Sequence, residues 1–167
     1  MGLLETRRKD VEYHLGKYPD KRSAVMPLLY IAQEEYGHVT EEAIKEIAGL
    51  LDLTVTHIKG LIGFYTMYYD KPKGKYLLQI CTDLPCALKG AEKFSEHVCQ
   101  KLGVRPGETT ADGMFTVENV MCLAACDHAP MMQVNFRYHE DLDEEKLDQL
   151  VEDLHREAEA TKSYNRK

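Results

Sequence analysis

Two pairs of cysteines are the feature of this 167-residue sequence that most restricts its fold. Cys81 and Cys86 are separated by four residues, Cys122 and Cys126 by three, and 35 residues lie between the pairs. Each pair begins where a predicted strand ends, because an apolar run of strand length precedes each one. Two such loops at the end of a small sheet can lie side by side and bring four thiolates to one point. The spacing therefore predicts a metal site.

The type of metal is less closely defined by the spacing. Zinc and iron–sulfur clusters both bind four thiolates in near-tetrahedral arrangements. Zinc ribbons commonly place paired cysteines about two residues apart, because a tight turn must aim both sulfurs at one ion. The wider spacing here favours a two-iron cluster, in which each loop wraps around one iron. Zinc stays open at this point, as does the alternative of ordinary buried cysteines.

The first 70 residues carry the pattern of a helical bundle. Apolar residues recur at helical spacing behind Thr40 and again behind Thr54, and threonine is a typical N-cap. Short polar segments separate the helices, as in a small bundle. The predicted helices lie near residues 4–15, 25–32, 41–51 and 55–65.

A polar segment rich in Gly and Pro begins at Asp70, so we place the domain boundary there, with domains at 1–70 and 71–167. The second domain has the predicted order β-α-β-β-α, which indicates a small mixed sheet with helices packed against it. The overall prediction is an α+β fold. The predicted strands are 76–80, 115–121 and 131–134, with 137–140 pairing with the last. The predicted helices are 85–102 and one from about 143, with a loose tail after 160.

Charge and hydropathy exclude several functions. The net charge is −7, and the first 76 residues balance 11 basic with 11 acidic side chains, so the acidic excess lies in the remainder. An acidic surface without a basic patch predicts no nucleic-acid partner. The longest apolar run has 8 residues and no leader opens the chain, so we expect neither membrane insertion nor secretion. Five cysteines without a leader are typical of a reducing compartment.

Five segments of the chain form a specific set of motifs. They occur in the order GLIGFYTMY (60–68), CTDLPCAL (81–88), RPGETTADGMF (105–115), CLAAC (122–126) and APMMQVN (129–135). Together they resemble the 24 kDa subunit family of NADH:quinone oxidoreductase, respiratory complex I. The similarity covers nearly the whole chain, from about Tyr18 to Val151, and it is far more specific than four cysteines alone.

The resemblance implies a thioredoxin-like domain with one [2Fe-2S] cluster, preceded by a helical domain that helps to dock the partner. By the family's pattern, the cluster ligands are Cys81, Cys86, Cys122 and Cys126. The implied partner is the flavoprotein subunit, which binds NADH and FMN, and this chain would exchange single electrons with that FMN. It would be part of an enzyme without a complete active site or catalytic residue of its own. The implied location is the cytoplasmic face of the inner membrane, as a peripheral part of the complex.

Two other functions stay open beside this interpretation. Homologous subunits serve soluble NAD-linked hydrogenases and formate dehydrogenases, and nothing in the sequence separates them from the respiratory complex. A zinc-stabilised interaction module without redox function is the alternative from another class. Its zinc content, in place of iron and sulfide, would identify it.

Several residues near the cysteines modify this interpretation. Asp83 and Asp127 predict a low reduction potential, because their negative charge disfavours the addition of an electron. Ala124 stands where relatives often have glycine, so we expect an altered backbone conformation or potential without loss of ligation.

Cys99 follows a core-facing valine in a predicted helix and is expected to be a semi-buried thiol. His128 invites a mixed Cys/His site, but no histidine lies near the first pair, so it is not assigned as a ligand.

Overall fold

The computed structural model describes residues 2–164, with side chains to residue 160. The chain forms two compact units, Met1–Lys73 and Gly74–Lys167. Each unit has a hydrophobic core of its own. The transition lies in the polar segment that the sequence analysis identified.

The first unit is helical, as predicted. Thr40 begins one helix by accepting a hydrogen bond from the N–H of Ala43, and Thr54 begins the next by accepting one from His57, each at 3.2 Å. The core is built from fully buried aliphatic side chains, among them Leu28 and Ile44. The described helices are α1 (Leu3–Thr6), α2 (Arg8–Lys17), a 3-10 turn (Lys21–Ala24), α3 (Val25–Tyr36), α4 (Glu41–Leu51) and α5 (Val55–Phe64).

A sharp turn joins α4 to α5. The left-handed residue Asp52, with φ of 55°, ends α4, and its N–H donates to the carbonyl of Ala48. Within residues 2–164, no single helix is long and apolar enough to cross a bilayer. Helices α4 and α5 together have that length and apolar character, but the chain bends by 117° between them.

The second unit contains a four-stranded mixed sheet. The strand order is β2-β1-β3-β4, with β1 parallel to β2 and the other two pairings antiparallel. Helices pack on it through buried apolar residues such as Phe94, Val98, Leu147 and Val151. The elements are β1 (Tyr76–Cys81), α6 (Leu84–Leu88), α7 (Ala91–Leu102), β2 (Phe115–Val120), a 3-10 turn (Cys126–His128), β3 (Met132–Val134), β4 (Arg137–His139) and α8 (Glu144–Tyr164).

The register of β1 and β2 determines where the cysteines lie. These strands run parallel, and Cys81 at the end of β1 is paired with Val120 at the end of β2. The carboxyl ends of both strands therefore lie at the same edge of the sheet. The loops that carry the two cysteine pairs both start from that edge.

Several predicted boundaries differ from those in the structure. The helix predicted near 4–15 is α1 and α2, and the helix predicted over 25–32 continues to Tyr36. The helix predicted over 85–102 is two helices, α6 and α7, because Gly90 between them adopts a left-handed φ of 92°. The second strand ends at Val120, so Met121 belongs to the following loop and is 74% exposed. The tail predicted to be loose after 160 is helical to Tyr164, and residues 165–167 lie outside the described residues.

Candidate metal centre

The first cysteine loop is short and well anchored. Cys81 is the last residue of β1 and Cys86 lies within α6, and both are buried. The N–H of Thr82 donates to the carbonyl of Val120 at 2.9 Å, which holds the loop against the end of β2. Asp83 begins α6 by accepting the N–H of Leu84 at 2.9 Å. This turn leads the chain from β1 into α6, and Cys81 and Cys86 both lie in one buried cluster.

The second cysteine loop is more exposed. Cys122 follows the end of β2 by two residues, and Cys126 begins the 3-10 turn. Both cysteines are exposed. The N–H of Ala124 donates to Sγ of Cys122 at 3.3 Å, and Ala124 adopts a left-handed φ of 60°. This φ lies in the region that glycine, the residue that relatives often have here, adopts readily.

Side chains from the last strand and the following turn hold the second loop in place. Tyr138 of β4 donates to the carbonyl of Leu123. Nδ1 of His128 lies 3.0 Å from a carboxylate oxygen of Asp141, and the N–H of Asp141 donates to the carbonyl of His128 at 2.9 Å. The sequence analysis missed Tyr138 and Asp141, because they are distant in sequence and carry no motif.

The four thiols influence one another's ionisation, so the two loops lie side by side. Burial raises the pKa of Cys86 to about 12, and contact with Cys81 and the charges of Cys126 and Cys122 add to this effect. Desolvation and contact with Cys122 also raise the pKa of Cys126, as do the charges of Cys81 and Asp83. Mutually repelling thiolates are stabilised when a cation is placed among them.

The donor set suits an iron–sulfur cluster or zinc, because it consists of sulfur alone. Within the described residues, no three His, Cys, Asp or Glu side chains are closed around a single point as they would be around one ion. Each loop supplies two of the four thiols.

Cys99 and His128 are the remaining candidates. Cys99 is in α7, half-buried against the main core of the second unit, where burial raises the pKa of its thiol. Cys81 and Cys86 belong to a separate buried cluster that includes Ala91 and Met131. His128 faces Asp141 and Asp127, and these contacts raise the pKa of its ring, Asp141 most strongly.

The mixed sheet and the paired cysteine loops are also features of a known protein family. Residues 11–155 match the sequence model of the thioredoxin-like [2Fe-2S] ferredoxins. The chain belongs to that family. The match confirms both the predicted fold class and the family to which the sequence motifs pointed.

Two relatives are similar to this chain over most of its length. The chain is 43% identical to a subunit of the NADH-quinone oxidoreductase of Rhizobium meliloti over 161 residues, which cover 96% of this chain and 95% of the relative. It is also 43% identical to NADH-quinone oxidoreductase subunit 2 of Thermus thermophilus over 137 residues, or 81% and 76% of the two chains. The predicted resemblance to subunits of this oxidoreductase is thus confirmed.

A solved structure shares the fold. The structure of NAD+-reducing [NiFe]-hydrogenase in the air-oxidized state superimposes with a TM-score of 0.68 and 23% sequence identity. The match covers 78% of this chain and 23% of the hydrogenase chain, so this protein spans about a quarter of that chain. At this level of identity the likeness describes the fold.

Proposed function

We propose that this chain is an electron-transfer subunit of NADH-quinone oxidoreductase that binds one [2Fe-2S] cluster and exchanges single electrons with FMN on a flavoprotein subunit. The observation that supports it most is the arrangement of four thiols at one edge of the sheet. They occur in a chain that is 43% identical, over nearly its full length, to a known component of that oxidoreductase.

The cysteines act as two pairs in this proposal. Cys81 and Cys86 would hold the cluster from the buried loop, and Cys122 and Cys126 would hold it from the exposed loop. A [2Fe-2S] cluster supplies a centre that accepts one electron at a time. The buried pair excludes water on one side. The exposed pair leaves a short path to a protein that docks on the other side.

The backbone and the charges around the cysteine pairs affect how readily the site accepts an electron. The N–H of Ala124 donates to Sγ of Cys122, and such bonds stabilise the more negative state of a sulfur ligand. The carboxylate of Asp83 acts in the opposite direction, since it adds negative charge beside the thiols.

Exposed apolar side chains surround the cysteine loops and supply contact area for the flavoprotein. Leu84 and Leu88 of α6 are 68% and 80% exposed, and Met121, which precedes Cys122, is 74% exposed. Apolar side chains grouped beside a functional site are typical of protein interfaces. In the first unit, Phe64 and Tyr65 are also exposed and offer aromatic contact area of their own. The complex would place this chain at the cytoplasmic face of the inner membrane.

The equivalent subunit of a soluble NAD-linked hydrogenase is the second candidate, supported by the shared fold. Purification from the native host separates the two, because co-purified quinone oxidoreductase subunits support the first and hydrogenase subunits the second. Zinc in place of iron and sulfide would instead support an interaction module.

The test of the proposed function is reduction by NADH through the partner. The chain is purified anaerobically and mixed with NADH, with and without the flavoprotein subunit of the same host loaded with FMN. We expect the chain's visible absorbance to bleach with NADH only when the flavoprotein is present. A cluster that stays oxidised in the full mixture, although dithionite reduces it, would contradict the proposed exchange.

A further inference from the structure

We infer that Asp83 is the residue that holds the reduction potential of this chain's cluster low, acting through its charge and not as a ligand. This inference rests on the proposed function, because it concerns the cluster bound by the four cysteines. It assigns different effects on the potential to Asp83 and Asp127, although both are acidic neighbours of the ligands in the sequence.

Asp83 has a fixed place in the first cysteine loop. It lies between Cys81 and Cys86 and is half-buried. Its side-chain oxygen accepts the N–H of Leu84 at 2.9 Å, and its carbonyl accepts the N–H of Ala87 at 2.9 Å. These two bonds restrain the carboxylate at the start of α6, so its charge stays near the thiols.

Asp83 lies in a loop that is held against the end of β2, the strand that leads into the second cysteine loop. Its neighbour Thr82 donates twice to the carbonyl of Val120, from its N–H at 2.9 Å and from its hydroxyl at 3.3 Å. The carboxylate of Asp83 is therefore held at the edge of the sheet from which both cysteine loops start.

Asp127 differs although it is the immediate neighbour of Cys126 in sequence. Its side chain is 81% exposed, and its carboxylate oxygen lies 3.5 Å from Nε2 of His128. Solvent screens the charge of an exposed carboxylate strongly. Asp127 should therefore affect the reduction potential less than its position next to Cys126 in the sequence suggests.

The expected effect follows from charge repulsion. Reduction adds one negative charge to a cluster that is already anionic, so a nearby carboxylate favours the oxidised state. Removing a half-buried carboxylate should change the ratio of reduced to oxidised cluster at a fixed ambient potential by about three- to tenfold. For a one-electron couple, tenfold corresponds to about 59 mV.

The test compares Asp83→Asn with Asp127→Asn in the full chain. Both variants remove one charge and keep the shape of the side chain, so the overall charge is matched. Anaerobic potentiometric titration followed by EPR gives the midpoint potential of each. We expect Asp83→Asn to raise the potential and Asp127→Asn to raise it by less than half as much. Equal shifts, or no shift with Asp83→Asn, would overturn the inference.

Two further variants separate charge from loop geometry. Asp83→Glu keeps the charge and should keep the potential near that of the wild type. If it raises the potential as much as Asp83→Asn does, loop geometry is responsible and the inference fails. Should Asp83→Asn lose its cluster, Asp83→Ser decides by the same titration, since its hydroxyl can still accept the N–H of Leu84. A wild-type chain that holds no iron would instead refute the proposed function itself.

Discussion

The hydroxyl of Tyr138 donates a 2.8 Å hydrogen bond to the carbonyl of Leu123, which links β4 to the residue that follows Cys122. Tyr138 is one residue before the end of its strand and is half-exposed. An edge strand therefore holds the exposed cysteine loop in position, although no residue of that strand is a candidate ligand.

Replacing Tyr138 tests this support. Tyr138→Phe removes one hydrogen bond, with a net contribution of about 1 kcal/mol, and leaves the ring in place. We expect the second loop to open more readily, so that a chelator removes iron several-fold faster while the iron content at purification is unchanged. The measurement is the rate at which visible absorbance is lost in excess chelator.

Tyr13→Phe is the control for this comparison. Tyr13 is an exposed tyrosine of α2 in the first unit. It should leave the rate of iron loss unchanged. Equal rates for Tyr138→Phe and the wild type would show that the bond to Leu123 does not restrain the loop.

Ala124 is strained, and glycine should relieve the strain. A non-glycine residue in the left-handed region costs roughly 1 kcal/mol, and Ala124 has a φ of 60°. We expect Ala124→Gly to raise the Tm of the chain by about 2 to 4 °C. The neighbouring Ala125→Gly should lower the Tm instead, because Ala125 is buried and has a φ of −119°. An Ala124→Gly chain with a lower Tm than the wild type would refute the strain.

His139 gives the second unit a defined pH dependence. Burial lowers the pKa of His139, and the charge of Arg137 adds to this. The unfolded chain therefore binds the proton more readily, with a pKa near 6.5. The contribution of His139 to stability is complete above about pH 6.5 and is lost as the pH falls through the lower native pKa.

NMR of the histidine ring carbons measures this shift directly. The His139 resonance should titrate with a midpoint below 6.5, and Arg137→Gln should move that midpoint upwards. The resonance is assigned by its absence in His139→Gln. A wild-type midpoint at or above 6.5 would mean that the ring is not desolvated.

Leu88 tests the proposed docking surface. Its side chain is 80% exposed beside the cysteine loops, so Leu88→Glu should leave the cluster's absorbance intact and weaken binding of the flavoprotein by at least tenfold. Phe136→Glu is the matched control, because Phe136 is 73% exposed and lies in the turn between β3 and β4. Titration calorimetry with the purified flavoprotein measures both. Equal weakening by the two variants would argue against a specific surface at α6.

The place of the cysteine pairs at the ends of strands could be predicted from the sequence. The apolar run before Cys81 identified β1, and the parallel register then brings its end beside that of β2. The break at Gly90 was missed, because the five residues of α6 are too few to show a helical period.

The supporting contacts of the site could not be predicted in the same way. Tyr138 reaches Leu123 from fifteen residues away, and Asp141 reaches His128 from thirteen. Such contacts depend on the pairing of β3 with β4 and on the turn that follows, so no local pattern announces them. The left-handed backbone of Ala124 was not predicted either, although glycine, which relatives often have there, is typical of that conformation.

The most direct test of the account is EPR of the dithionite-reduced chain together with iron and sulfide analysis, on the wild type, Cys122→Ala and Cys99→Ala. Alanine is used because it cannot bind iron through its side chain. The account predicts two irons and two sulfides per wild-type chain, and one unpaired electron per two irons after reduction. It predicts the same for Cys99→Ala, and loss of the signal in Cys122→Ala. A wild-type chain that contains zinc without iron, or equal loss in both variants, would contradict it.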